Sequence, residues 1–144
     1  MGDPNLTELI EQIVLAGVAL TTRALSDAAP GWDLTFPQWR VLVVLGEQPD
    51  GATVSEVAGR IGVTVPATSR QLRRLATRGL IEIRPDVFDR RAARARLTDT
   101  GQRTREAILT YRRAEISVVA SRITVSKPTL HELAAIADAL GDFR

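Results

Sequence analysis

The chain has 144 residues, 19 basic and 17 acidic side chains, and a formal net charge of +2, which is typical of one globular domain. It contains no cysteine and a single histidine, so disulfides and thiolate metal sites are excluded, and neither a metal nor a cofactor is expected. Aromatic residues make up only 4 %. Aliphatic side chains must therefore supply most of the core, which favours helices over a β-sandwich.

The N-terminal region lacks a basic stretch followed by an apolar run, so no signal peptide is expected. No uninterrupted apolar run approaches the roughly 18 residues that suggest a membrane span. We therefore expect a cytoplasmic protein without a membrane partner.

The N-terminal part of the chain predicts one long helix. From Leu6 the apolar residues recur at helical spacing, and the pattern continues to about residue 28, where Pro30 and Gly31 interrupt it. This helix is apolar over a wide face. Because one protomer of this size cannot easily cover that face, the pattern indicates a partner helix.

Two capping boxes then predict two shorter helices. Thr35 and Gln38 have the required spacing, and so do Thr53 and Glu56. The first helix should end near residue 47, and the second at Gly62, which interrupts a short apolar stripe.

A third short helix follows immediately and carries arginines on one face. Thr64 is a suitable N-cap, Pro66 stands in the first turn, and Gly79 follows the last turn. Its inward face is predicted to consist of Thr68, Leu72 and Leu75. Two short helices joined by a tight glycine-containing turn are typical of a helix-turn-helix.

The hydrophobic period changes to two in residues 80–84 and 94–98, which predicts a β-hairpin with a charged tip. A hairpin directly after a helix-turn-helix is a wing. Residues 63–98 hold nine arginines against three acids, a net charge of +6 on a chain of +2. Charge of one sign on one segment indicates a polyanionic partner, and double-stranded DNA is the first candidate.

Two further helices complete the prediction. Thr98 can cap one that runs to about residue 123, and Ser126 can cap another that Gly141 ends. The expected fold is mainly α with a small β-hairpin wing in a single domain, 1–144. A winged helix-turn-helix lobe, 35–98, lies between helical segments 6–28 and 99–141.

The sequence resembles the MarR family of bacterial transcriptional regulators. The likeness covers nearly the whole chain and rests on four segments: Leu34-Thr35-x-Pro37-Gln38-Trp39-Arg40-Val41-Leu42, Thr53-Val54-Ser55-Glu56-Val57-Ala58, Leu75-x-x-x-Gly79-Leu80-Ile81-x-x-Arg84, and Asp89-Arg90-Arg91 followed by Leu97-Thr98-x-x-Gly101. The resemblance implies a homodimer in which segments 6–28 and 99–141 are dimerisation helices. It also implies binding to a pseudo-palindromic operator, with repression as the commoner mode.

Recognition of DNA by a helix in the major groove identifies the candidate contacts. On the third short helix these are Thr64, Pro66, Ala67, Ser69, Arg70, Arg73 and Arg74. The resemblance adds the wing residues Asp89, Arg90 and Arg91, with Asp89 bracing Arg91 by a salt bridge while Arg91 enters the minor groove. The alternatives are a solvated basic face without a target and an ordinary surface ion pair. Arg84 ends the first predicted wing strand, and one interpretation of it is a structural pairing with Asp86 or Asp89.

Family members often bind small aromatic effectors between the dimer helices and the DNA-binding lobe. The residues that could line such a site here are Trp32, Phe36, Trp39, Arg40 and Tyr111. For Trp39, packing in the core is the simpler interpretation.

Two other classes of function fit the sequence less well. A winged helix can serve as a protein-interaction module without a DNA target, but that would favour an apolar or mixed recognition face. An enzyme is not expected, because the sequence has no Ser-His-Asp set, glycine-rich phosphate loop, metal-ligand cluster or clear carboxylate pair.

Overall fold

The computed structural model describes residues 5–89 and 91–141, and these form six helices and three short strands. The elements in chain order are α1 Leu6–Asp27, α2 Phe36–Gly46, β1 Ala52–Thr53, α3 Val54–Ile61, α4 Val65–Thr77, β2 Ile81–Pro85, β3 Ala93–Leu97, α5 Asp99–Ala120 and α6 Lys127–Gly141. The predicted fold class is confirmed, and the helices lie within a few residues of their expected bounds.

The helix starts follow the local chemistry that the sequence indicated. At α2 the Thr35 hydroxyl accepts the Gln38 N–H at 3.4 Å, and the Gln38 side chain accepts the Thr35 N–H at 3.1 Å. Thr53 and Glu56 make the equivalent pair at α3. Thr64 differs: its backbone is extended, as at an N-cap, but its side chain makes no capping hydrogen bond to α4.

Helix α2 occupies the centre of the core and packs against α3, α4, α5 and β3. Its residues Val41, Leu42 and Leu45 are buried. Its neighbours contribute further fully buried side chains: Val57 and Ile61 from α3, Leu72 and Leu75 from α4, and Ile108 from α5. Aliphatic residues therefore provide most of the core, as the low aromatic content required.

The three strands form one antiparallel sheet in the order β1-β3-β2. The hairpin pairs Ile81 with Leu97 and Pro85 with Ala93. The two-residue strand β1, in which Ala52 pairs with Ala95, was not predicted. Gly51 permits its approach, because a Cβ there would lie 2.8 Å from the Ala95 carbonyl oxygen and the backbone φ is +82°.

Gly101 sets the distance between α5 and the wing. A Cβ at this position would lie 1.9 Å from the Leu80 carbonyl oxygen. The first turn of α5 therefore rests on the backbone that leads into β2, and any side chain would force the two apart.

The N- and C-terminal helices leave much of their apolar surface exposed. Helix α1 buries only Thr21, Ala24 and Leu25, all near its C-terminal end, and α6 buries no residue. The most exposed large apolar residues of these helices and of the α5–α6 link are Leu6, Ile13, Leu15, Ile116, Val119, Ile123 and Leu130. Such surfaces on a protein of this size are typical of interaction surfaces.

One helix, α1, bears on the expectation that the chain has no membrane span. This helix is long and apolar enough to cross a membrane, with a mean hydropathy of 1.3 over an 18-residue window, 17 % of which is buried. Polar residues interrupt the apolar residues of α1, but an average over a window tolerates them. The same composition suits a helix that packs against another chain, so it is weak support for a membrane span.

Candidate nucleic-acid interface

Helix α4 is held against the core by one face and presents the other to solvent. Its inward face is the predicted one, because Thr68, Leu72 and Leu75 are each no more than 1 % exposed. The candidate contact residues share the outward side: Thr64, Pro66, Arg70, Arg73 and Arg74 are exposed, and Ala67 and Ser69 are half-buried. The structure thus brings all seven together on one accessible surface.

The arginines of α4 differ from those of the wing in what they contact. Among residues 5–89 and 91–141, none of the salt bridges involves Arg70, Arg73 or Arg74. Their charges are therefore not neutralised by carboxylates of the described residues. An exposed group of three guanidiniums creates a local positive potential, which attracts phosphate.

The turn before α4 is fixed by a side chain from α2. Arg40 donates hydrogen bonds to the carbonyl oxygens of Ile61 at 2.6 Å and Arg60 at 3.2 Å. Gly62 follows in the left-handed conformation, with φ of +66°. Arg40 therefore satisfies two backbone carbonyls at the end of α3 and helps to fix the turn that leads into α4.

The arginines of the wing strands bind carboxylates, mostly within the wing, which corrects the expected partner of Arg84. Arg84 and Arg96 both bind Glu82, and Arg94 binds Asp86 at 3.1 Å and Glu56 of α3 at 3.6 Å. Arg84 is therefore paired with Glu82 and not with Asp86 or Asp89. Arg94 and Arg96 add less free charge to the hairpin than their number suggests, because carboxylates oppose them.

These contacts lower the pKa of two wing carboxyls. The hydrogen bond from Arg96 is the largest cause for Glu82, and Arg84 adds to it. For Asp86 the largest causes are the backbone N–H groups of Phe88 and Asp89, with the charge of Arg94 as a smaller contribution. Both carboxyls are thus stabilised in their charged form.

The wing tip is ordered by backbone hydrogen bonds to carboxylates. Asp86 accepts the N–H of Phe88 at 2.7 Å and that of Asp89 at 3.1 Å. Asp89 accepts the backbone N–H of Arg91 at 2.9 Å. Within the described ranges this bond replaces the expected side-chain salt bridge between Asp89 and Arg91, and the Arg91 side chain is exposed. The expectation for Arg90 lies outside the described residues.

The candidate effector residues do not all meet. Phe36, Trp39 and Arg40 line one groove of about 370 Å³ against α5. Trp32 instead lies under the guanidinium of Arg78, whose central carbon is 5.7 Å from the ring centroid. The Tyr111 hydroxyl donates to Asp27 of α1 at 2.9 Å, which raises the pKa of Tyr111. Trp39 is only 3 % exposed and belongs to the core, as the simpler interpretation held.

The groove also contains residues that the sequence did not indicate. Its charged lining includes Glu47, Arg60 and Arg112, and a salt bridge of 2.6 Å joins Arg60 to Glu47. The Nε of Arg112 is buried and has no hydrogen-bond partner among the described residues, and burial lowers the pKa of this guanidinium. No local pattern marks Arg112, because the packing of α5 on α2 brings it into a groove that Arg60 of α3 also lines.

Comparison with known proteins agrees with this architecture. The family model described as the MarR family matches residues 32–92. The transcriptional regulator TcaR of Staphylococcus aureus is 31 % identical over 119 residues, which cover 81 % of this chain and 75 % of TcaR.

Solved structures show the same fold over nearly the whole chain. RV1404 from Mycobacterium tuberculosis has a TM-score of 0.80 and 25 % identity, covering 96 % of this chain and 97 % of that one. A variant of S. aureus MepR bound to an oligodeoxyribonucleotide has a TM-score of 0.68 and 22 % identity, covering 99 % and 100 %. With its winged helix-turn-helix and its likeness to TcaR, the chain belongs to the MarR family of transcriptional regulators.

Proposed function

We propose that this chain is a homodimeric repressor that binds double-stranded DNA sequence-specifically and is released by a small aromatic effector. The observation that carries the proposal is the exposed face of α4, where Arg70, Arg73 and Arg74 have no carboxylate partner among the described residues. The structural likeness to a MepR variant bound to an oligodeoxyribonucleotide adds support for DNA as the partner.

In the proposed complex α4 lies in the major groove. Arg70, on the N-terminal half of the helix, binds a guanine edge with its guanidinium fork, and Ala67 contacts a thymine methyl group. Thr64 and Ser69 bond to phosphate or base. Arg73 and Arg74, one turn further, bind phosphates and orient the helix without reading sequence.

The wing occupies the adjacent minor groove in this proposal. Its exposed side chain Arg91 follows a turn that Asp86 and Asp89 order through backbone hydrogen bonds. A narrow minor groove concentrates negative potential and therefore attracts an arginine. The role of Asp89 is then to shape the turn that presents Arg91, because its carboxylate accepts the Arg91 backbone N–H.

Dimerisation accounts for the apolar surface of the terminal helices. The exposed side chains of α1 and α5 and those near and on α6 are too numerous for a stable monomer surface, and a second copy of the chain would cover them. A twofold axis then presents two α4 helices about one turn of DNA apart, so that the operator is a roughly palindromic site of about 16–20 base pairs. In this proposal the protein acts in the cytoplasm, and α1 packs in the dimer and not in a membrane.

The groove lined by Phe36, Trp39, Arg40 and Arg112 is the proposed effector site. Because α2 and α5 form it, a ligand there can change how the DNA-binding lobe sits on the dimer helices. A ligand that prefers a spacing of the lobes unsuited to DNA shifts the population away from the DNA-binding state.

Selection of bound sequences from a random duplex pool tests the proposal. The expected result is a two-part site whose inverted halves are centred about one helical turn apart, with two chains on each duplex. If the folded protein selects no common sequence, the result would contradict the proposal and would favour a protein-interaction module.

A further inference from the structure

The tip of the wing carries two apolar side chains that the proposed DNA contacts do not use. Val87 is 88 % exposed and Phe88 is 99 % exposed, the two highest values among the large apolar residues of the described chain. Burying a phenylalanine ring is favourable relative to leaving it in water. A fully exposed phenylalanine at the tip of the wing is therefore typical of a contact surface.

Phe88 is held in this exposed position by the fold of the tip. Its own N–H binds the Asp86 carboxylate at 2.7 Å, and Asp86 is fixed in turn by Arg94 at 3.1 Å. A backbone bond from the Asp86 N–H to the Ala92 carbonyl, at 2.9 Å, closes the loop. The ring is therefore presented on an ordered turn, so that the backbone of the turn loses little further conformational entropy on binding.

The surroundings of the ring indicate what it contacts. Arg91 is exposed three residues further along the same turn. In the proposed complex Arg91 lies in the minor groove, so Phe88 is carried to the same groove. The walls of that groove are the C–H surfaces of the deoxyriboses, and apolar side chains can also enter between base steps from this side.

We infer that Phe88 is an apolar wedge that inserts into the DNA minor groove next to Arg91 and partly unstacks one base step in each half-site. The inference rests on the proposed function. It adds a form of sequence selection that requires no base hydrogen bond, because flexible pyrimidine–purine steps are opened more easily than stiff ones.

The test uses the duplex selected from the random pool, with 2-aminopurine placed singly at successive positions of each half-site other than the base pairs that α4 contacts. The wild-type protein should raise the fluorescence of 2-aminopurine at one position in each half, because unstacking relieves its quenching. Phe88→Ala should abolish this rise and weaken binding about 10-fold, whereas Phe88→Leu should retain most of both.

Two comparisons separate the wedge from other effects. Arg91→Ala should reduce the slope of log K against log salt, whereas Phe88→Ala should leave the slope unchanged, because no charge is removed. Ile83→Ala truncates an apolar side chain on β2 that is 41 % exposed and lies away from the tip; it should retain the fluorescence rise. Since Phe88 is almost fully exposed, Phe88→Ala should change the melting temperature by no more than about 3 °C.

The outcomes distinguish failure of the wedge from failure of the proposed function. Wild-type affinity and an unchanged fluorescence rise in Phe88→Ala would overturn the wedge alone and would leave the ring for a protein partner. Failure of the wild-type protein to bind any duplex would overturn the proposed function, and the wedge with it.

Discussion

At the scale of single residues, two groups of arginines within residues 63–98 differ in their partners, and the sequence could not separate them. Arg84, Arg94 and Arg96 bind carboxylates within the wing and its neighbour α3, whereas Arg70 and Arg73 point into solvent without such partners in the described chain. The pairing of Arg96 with Glu82 depends on strand register, in which the two residues lie opposite each other. A count of charges along the chain therefore overstated the free charge of the wing, because carboxylates oppose three of its arginines.

The proposed roles of the arginines predict different effects for two substitutions on α4. Arg70→Ala should weaken binding to the operator by about 1–3 kcal/mol and relax sequence preference, because a base contact is lost. Arg73→Ala, its matched control one turn away, should weaken binding equally on operator and scrambled duplexes. Arg91→Ala should weaken operator binding strongly. Gel-shift titrations on both duplexes measure all three, and equal small losses for Arg70→Ala and Arg91→Ala would argue against the assigned roles.

The two wing carboxyls predict a pH dependence of stability. The pKa of Glu82 is lowered from 4.5 by the hydrogen bond from Arg96, and that of Asp86 from 3.8 by two backbone N–H groups. A lowered pKa in the folded state contributes stability that is complete above about pH 4.5 and is lost as the pH falls through the lowered values. Urea unfolding at pH 7 and pH 3.5 should show a smaller acid loss for Glu82→Gln than for the wild type. Identical losses would contradict the argument.

At the scale of elements, the sequence predicted what local chemistry determines. The capping boxes at Thr35 and Thr53 and the buried face of α4 are read from spacing alone, and the structure confirms them. Strand β1 was missed because two residues carry no periodicity, and its pairing with Ala95 depends on contacts distant in sequence. Arg112 was missed for the same reason, since its surroundings come from three helices.

The contact between α5 and the wing gives a prediction for stability. Gly101→Ala should destabilise the protein by about 1–3 kcal/mol, because the new methyl group would lie 1.9 Å from a backbone oxygen, which outweighs the gain in helix propensity. Gly59→Ala is the control: Gly59 lies in α3 with nothing within 4 Å of its added Cβ, so this change should stabilise by about 0.5–1 kcal/mol. Urea midpoints of the two variants measure this, and a more stable Gly101→Ala would show that α5 can shift freely.

At the scale of the whole molecule, the terminal helices predict a dimer, because a single chain leaves their apolar faces uncovered. Ile13 of α1 is 57 % exposed and lies on the apolar face proposed to pack against the partner. Ile13→Glu would bury a charge there, which costs about 3 kcal/mol or more and raises the dimer dissociation constant by a factor of about 100 or more. Gln12→Glu adds the same charge at the exposed neighbouring position and should leave the dimer intact.

Sedimentation velocity at micromolar concentration distinguishes these variants, with wild type and Gln12→Glu as dimers and Ile13→Glu as a monomer that has lost operator binding. A wild-type monomer under these conditions would refute the proposed assembly. An unchanged dimer in Ile13→Glu would place the interface on another surface.

The central claim is that two copies of the arginine face of α4, together with the wings, bind the backbone and grooves of one DNA duplex. The salt dependence of operator affinity, measured by fluorescence anisotropy from about 50 to 200 mM salt, tests it most directly. If the dimer neutralises about eight phosphates, log K should fall against log salt with a slope of about −7. An affinity that does not change with salt would contradict the claim.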